Sequence, residues 1–155
     1  MGNQLILISG GSQSGKSSLA CWLQSVLPRA EHLDQDSFVL PTNKIPKIQN
    51  RTNWESPESI DWEKWMKAIN KVLLNYKYVI AEGIFTRHHK ASVQQASLII
   101  ELTIPYRIFK QRRSNDKRWG QEPDWYIKHV WESYQQNKKL AIGEADMSFS
   151  FVSQA

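Results

Sequence analysis

Eight consecutive residues hold the clearest chemistry in this chain. Gly10, Gly11, Ser12, Gln13, Ser14, Gly15, Lys16 and Ser17 fit the pattern G-x-x-x-x-G-K-[ST], a loop that binds phosphate when a strand precedes it and a helix follows. Gly10 and Gly15 permit backbone conformations that a side chain would obstruct, so successive amides can point at phosphate oxygens beside the positive end of a helix dipole. Lys16 adds a point charge for the β and γ phosphates. The hydroxyl of Ser17 is the expected magnesium ligand, and Ser18 carries the loop into the helix. Two acidic sites complete the set. Asp34 and Asp36 lie in "HLDQDSF", and Asp36 is a candidate base for an acceptor hydroxyl, a helix or turn cap being the other role open to it. Glu82 directly follows "YVIA", where it can hold a magnesium-bound water or end as a solvated strand terminus.

These residues need elements to position them. The run Leu5 to Ile8 is short and wholly apolar, as expected of a strand buried on both faces, and Leu19, Trp22, Leu23, Val26 and Leu27 then recur at helical spacing up to Pro28. A short second strand should precede Asp34. A polar loop spans 43–57, and Trp62, Trp65, Met66, Ile69, Val72 and Leu73 form one face of a second helix. Strands are predicted at 78–81 and 98–104, the latter ending at Pro105. A helix carrying Lys110, Arg112 and Arg113 follows, and Pro123 opens another with Ile127, Val130, Trp131 and Tyr134 inward. Residues 147–152 alternate like a strand. Strands that alternate with helices predict an α/β fold of three layers, a mainly parallel sheet with helices on both faces, because parallel strands need crossover connections.

At 155 residues, 41% hydrophobic and 23% charged, the chain suits one globular domain over 1–155, with neither repeats nor low-complexity segments. No apolar run approaches the ~20 residues of a membrane helix, and Met1 leads to Leu5 through neither a basic region nor a small-residue cleavage site. The expected location is the cytoplasm, away from membranes. The single Cys21 cannot form an internal disulfide, which fits a reducing compartment. A net charge of +5 suits an anionic ligand, either nucleic acid or a polyphosphate. His88 and His89 lack the spacing of a metal site and are assigned to a loop.

The stretches "GGSQSGKSS", "LDQDSF", "NWESPESIDW", "VIAEGIF", "LTIPYRIFKQRRS" and "HVWESY" together resemble the uridine kinase-like P-loop kinases across most of the chain. "LTIPY", the double arginine and the "HVW" helix resemble its nicotinamide riboside branch. The resemblance implies a P-loop kinase fold with a helical lid over about 106–122, and transfer of the γ-phosphoryl of ATP to the 5′-hydroxyl of a ribonucleoside. It places Lys16 and Ser17 on ATP and Mg2+, Asp36 as the base, and Glu82 on the metal. Trp54 would stack on the base, Glu55 would accept hydrogen bonds from the ribose diol where the family usually has aspartate, and Trp119 would close a sandwich on a cationic ring. Lid arginines of the family stabilise the transferring group, which makes Arg112, Arg113 and Arg118 candidates. Adjacent helical residues diverge by about 100°, so at least one of Arg112 and Arg113 should be a solvated or ion-paired surface residue.

The stretch between Glu82 and Leu98 is short and leaves little room for the base-covering insertion that uridine kinases carry, which favours nicotinamide riboside over uridine or cytidine as acceptor. The family continues past the last strand into an adenine-contacting loop and a closing helix that this sequence does not contain. Three classes follow: a nucleoside kinase whose partner is a small molecule, a non-catalytic ATP-binding regulatory protein, and a nucleic-acid binder using the basic lid, with the first preferred. No residue specifies an oligomeric state.

Overall fold

Leu5 and Leu7 point to one side of their strand and Ile6 and Ile8 to the other, and each pair founds a separate apolar cluster. A computed structural model of the chain describes residues 2–150. Strand β1 (Gln4–Gly10) is buried along nearly its whole length because helices cover both faces. On one face, helix α2 (Trp62–Leu73) brings Trp65 and Ile69 against Leu5, Leu7, Val79, Ala81 and Ile99. On the other, helix α1 (Lys16–Val26) brings Leu19, Ala20 and Leu23 against Ile6, Ile8, Ile80, Ile100 and Leu102. Trp22 and Val26, expected inward, are more than half exposed. They lie on a second apolar stripe of α1, and the sheet accepts only one stripe.

The sheet has five parallel strands in the order β2 (Ala30–Asp34), β5 (Tyr78–Glu82), β1, β6 (Ala96–Thr103) and β7 (Met147–Ser150). The chain leaves β1 toward β2 on one side and reaches β6 on the other, so the carboxyl end of β1 marks the switch point where such sheets open a ligand crevice. Residues 151 and 152, expected to extend the last strand, lie outside the described residues. The stretch 43–57 is more ordered than a polar loop. Strands β3 (Lys47–Ile48) and β4 (Arg51–Thr52) pair around Gln49 and Asn50, both at positive φ, which is the signature of a two-residue primed hairpin turn. Helix α3 (Lys90–Gln95) is a further element without an apolar period of its own.

Helices α4 (Tyr106–Asn115) and α5 (Asp124–Lys139) pack against each other around Ile104, Phe109, Tyr126, Ile127 and Val130, with the Trp131 ring tilted against those of Tyr106, Phe109 and Tyr134. This third cluster stands beside the sheet and places α4 over the phosphate loop. Among the described residues, no helix is long and apolar enough to cross a membrane.

Candidate active site

The phosphate loop joins β1 to α1, and its two outer glycines are required for different reasons. A Cβ on Gly10 would lie 2.5 Å from the Leu102 carbonyl oxygen, a backbone atom that cannot move aside. Gly15 caps α1 in the left-handed conformation, and a Cβ there would meet nothing within 4 Å, so backbone conformation selects it. Helix α1 has neither a side-chain cap nor an acid in its first turn, which leaves its amide donors available to an anion. Ser14 Oγ is buried without a hydrogen-bond partner. Open space, free amides and an unsatisfied hydroxyl together fit a bound phosphate chain.

Around the loop the predicted acids converge. Ser17 Oγ donates to Glu82 Oε1 at 2.7 Å, joining the helix start to the end of β5. Burial pushes the Glu82 carboxyl above its usual range, opposed by the Ser17 bond and by Lys16. Lys16 Nζ donates to the Gly11 carbonyl at 2.9 Å. Burial lowers the Lys16 pKa, and the carboxylates of Glu82, Asp36, Glu55 and Asp34 act against that shift. A hydroxyl and one buried carboxylate cannot hold a divalent ion alone, and no group of three or more acidic, histidine or cysteine side chains suited to a metal occurs among the described residues. That pair fits an ion that takes its remaining ligands from phosphate oxygens and water.

The alternative of a cap at 34–36 falls to the other aspartate. Asp34 accepts the Asp36 amide at 2.9 Å and opens a short 3-10 turn, Gln35–Phe38, which leaves the Asp36 side chain exposed and unburdened by backbone. The surrounding protein and Asp34 raise the Asp36 pKa, while Lys16, Arg118 and Arg113 oppose the rise. Between the two acid-bearing strands lies Gln35, almost wholly buried, whose Oε1 accepts the Phe85 amide at 2.9 Å. Gly83 lets it in, since a Cβ there would sit 2.4 Å from Gln35 Cβ.

The arginines divide differently from expectation. Arg113 is ion-paired but buried: Nε and Nη2 donate to Glu122 at 2.6 and 2.9 Å, and Nη1 donates to Ser12 Oγ at 2.7 Å. Arg112 does not leave for solvent either, since its Nη1 donates to the Gln13 carbonyl at 2.9 Å. Both side chains are long enough to reach the same loop, Arg112 at the Gln13 carbonyl and Arg113 at the Ser12 hydroxyl. Gln13 Nε2 donates in turn to Asp116, so Ser12 and Gln13 are both tied to the segment after β6. Arg118 pairs with Asp116 at 2.6 Å.

Trp54 and Trp119 are both substantially exposed, and they do not form a ring pair with each other. Trp119 carries the guanidinium of Arg113 at 4.3 Å and that of Arg118 at 4.5 Å from its ring centroid. A ring so placed already receives cations. Glu55 is buried, and desolvation raises its carboxyl to about 7 despite the nearby charges of Arg113 and Lys16. The histidines singled out as loop residues have packing roles: His88 sits edge-on to Phe85 near Asn137, and His89 stacks on Trp62.

Two participants have weak signals in the sequence. His32 Nε2 lies 3.3 Å from Glu82 Oε1, and the alternation of β2 could have placed it with Asp34 on one face. Glu122 has no motif of its own, and only the fold brings it to Arg113.

A parallel sheet in this order, a phosphate loop at the end of its central strand and two acids at the neighbouring strand ends define a P-loop kinase. Residues 3–114 match the family model described as chloramphenicol phosphotransferase-like protein. Nicotinamide riboside kinase 1 of Homo sapiens is 31% identical over 149 residues, covering 84% of this chain and 74% of the relative. Nicotinamide riboside kinase of Saccharomyces cerevisiae is 24% identical over 193 residues, with 92% and 80% covered. The structure of shikimate kinase from Acinetobacter baumannii in complex with shikimate superposes with a TM-score of 0.62 at 17% identity, over 99% of this chain and 86% of the other, a likeness of fold. The chain belongs to the nicotinamide riboside kinase family.

Proposed function

We propose that this protein transfers the γ-phosphoryl of ATP to the 5′-hydroxyl of nicotinamide riboside, forming nicotinamide mononucleotide and ADP. The single observation that carries the reading is the phosphate loop with Ser17 bonded to Glu82 at the end of β5, beside the buried Glu55 carboxyl on which the charges of Asp36, Lys16 and Arg113 act. The curated relatives, all nicotinamide riboside kinases, support the choice of nucleoside. Glu55 accepts hydrogen bonds from the ribose diol, and Trp54 stacks on the pyridinium. Trp119 takes the opposite face of the same cation by exchanging one of the guanidiniums of Arg113 and Arg118 that it carries for the pyridinium. Asp36 orients the 5′-hydroxyl and accepts its proton while the oxygen bonds the γ-phosphorus. The bond from that phosphorus to the β-γ bridging oxygen breaks, and ADP leaves with the electron pair.

The residues 10–18 hold the phosphates, with Lys16 on the β and γ groups. Arg113 and Arg112 supply lid charge to the transferring group, and Arg118 closes over the nucleotide. Ser17 and Glu82 would hold Mg2+, which when bound neutralises charge on the phosphates and helps align them. The reading treats 1–155 as one catalytic domain with the lid at 106–122, at work in the cytoplasm on a small-molecule partner.

The test is nucleoside-dependent conversion of ATP to ADP with magnesium, comparing nicotinamide riboside, uridine and cytidine, with the product identified by mass. Selective formation of nicotinamide mononucleotide is expected. ATP binding without turnover of any nucleoside would replace the reading with a regulatory one.

Glu55 gives the acceptor site a pH dependence. Ionised, the Glu55 carboxyl offers both oxygens as charge-assisted acceptors for the diol, whereas protonation turns one of them into a donor, and its pKa near 7 leaves it about one-tenth ionised at pH 6 and nine-tenths at pH 8. The KM for the nucleoside should therefore fall roughly tenfold between those values. In Glu55→Gln the KM should be higher throughout and flat across the same range. The stability effect has the opposite sense: a raised folded pKa contributes stability that is present below the ordinary glutamate value and lost as pH rises through about 7. An unchanged KM from pH 6 to pH 8 in the native enzyme would remove Glu55 from the diol site.

A further inference from the structure

The "HVW" motif of helix α5 takes no part in the reading so far, yet its histidine faces the loop that carries Trp54 and Glu55. His129 Nε2 is 2.9 Å from Asn53 Oδ1, and that same oxygen accepts the Glu55 amide at 3.2 Å. About two turns further along the helix, Asn137 Nδ2 donates to the Glu55 carbonyl at 2.9 Å. Tyr126 Oη donates to the Thr52 carbonyl at 3.4 Å. Positions 126, 129, 133 and 137 follow helical spacing, so one face of α5 holds the loop from Thr52 to Glu55.

The bonding fixes the chemistry of the imidazole. The Glu55 N–H needs an acceptor, so Asn53 must present its oxygen, and an oxygen facing Nε2 requires the proton to be on Nε2. Ser133 Oγ lies 3.4 Å from both ring nitrogens, and with Nε2 protonated Nδ1 is the one left to accept its proton. Burial lowers the His129 pKa, against the opposing charge of Glu132, and so favours the neutral ring with a single N–H. His129 thus has one proton, placed on the one atom that also orients the Glu55 backbone.

We propose that His129 is a positioning residue for nucleoside recognition: through Asn53 it fixes the backbone of Glu55, and with Asn137 it sets the register of the Trp54–Glu55 pair against the acceptor. This rests on the nucleoside kinase reading for its kinetic consequence, while the latch itself is testable without substrate. The variants are His129→Leu, which removes both ring nitrogens, His129→Gln, which can return an N–H donor, and Asn137→Ala, which removes the second tie from the other side of Glu55.

The first readout is amide hydrogen exchange of the 51–57 segment in the protein without substrate. Exchange at the Glu55 amide should rise about tenfold in His129→Leu, as expected for loss of one hydrogen bond's net contribution, and return most of the way in His129→Gln. Asn137→Ala should loosen the same segment. The second readout is kinetic. KM for the nucleoside should rise about tenfold in His129→Leu and in Asn137→Ala with kcat and the KM for ATP unchanged, because only acceptor placement is affected. Unchanged exchange in both variants would overturn the latch. Faster exchange with an unaltered nucleoside KM would overturn its part in recognition. Native protein without nucleoside-dependent turnover would defeat the kinase reading instead, and the exchange data alone would then decide the latch.

Discussion

Asp36→Asn is expected to abolish most nucleoside-dependent ADP formation, by about 10²–10⁴-fold, while ATP binding survives. The substitution keeps size and shape and removes the ability to take a proton. Because Asp34 supplies the cap of the turn, Asp36 has no backbone to support, so the fold should be unaffected. Its proton affinity is already raised by its surroundings and by Asp34, which suits the proposed role of base. Stopped-time assays of ADP release with and without nicotinamide riboside, beside a binding titration with ATP, separate chemistry from affinity. Native turnover in Asp36→Asn would show that positioning alone drives the reaction, or that another group takes the proton.

The second large effect is expected at Arg113, where structure and chemistry are joined. Replacing Arg113 by methionine leaves Glu122 buried without its partner, and breaking such a pair from one side costs about 3–5 kcal/mol. Arg113→Met with Glu122→Leu exchanges the whole pair for apolar side chains of similar bulk and should regain most of that stability. Turnover should stay low in the double variant, because Ser12 has then lost the guanidinium that faces it. Urea unfolding and kcat measured on the same two proteins provide the check. A double variant that is both stable and fully active would assign Arg113 to the fold alone.

The phosphate loop was legible because its chemistry is local: strand, glycines, lysine and helix lie within one stretch of chain, and the structure places them as the pattern requires. Parallel pairing was legible for a related reason, since short apolar runs such as 5–8 and 78–81 alternate with helical patterns. Three things were not. Helix α1 offers Trp22 and Val26 as well as Leu19 and Leu23, and only the position of the sheet decides which stripe is buried. The 106–122 region shows both arginines in sequence, but their common destination depends on the third cluster, which sets α4 over Ser12 and Gln13. The hairpin at 47–52 rests on two positive φ angles at Gln49 and Asn50, and a polar stretch with one asparagine reads equally well as a plain loop. Long-range partners such as Glu122, His32 and Asn53 have ordinary local sequences, so the fold alone reveals them.

Gln35 and Gly83 bear on how this sequence can vary. The gap between the ends of β2 and β5 is filled by the Gln35 side chain, and the nearest clash at position 83 is with Gln35 Cβ, an atom every residue but glycine possesses. A library randomised at 83 alone should return glycine, and smaller choices at 35 would give no relief short of glycine there too. Randomising both positions opens that exchange, but at the loss of the acceptor for the Phe85 amide. The two codons are therefore coupled in one direction, and the spacing between the strand ends that carry Asp36 and Glu82 is inherited as a pair.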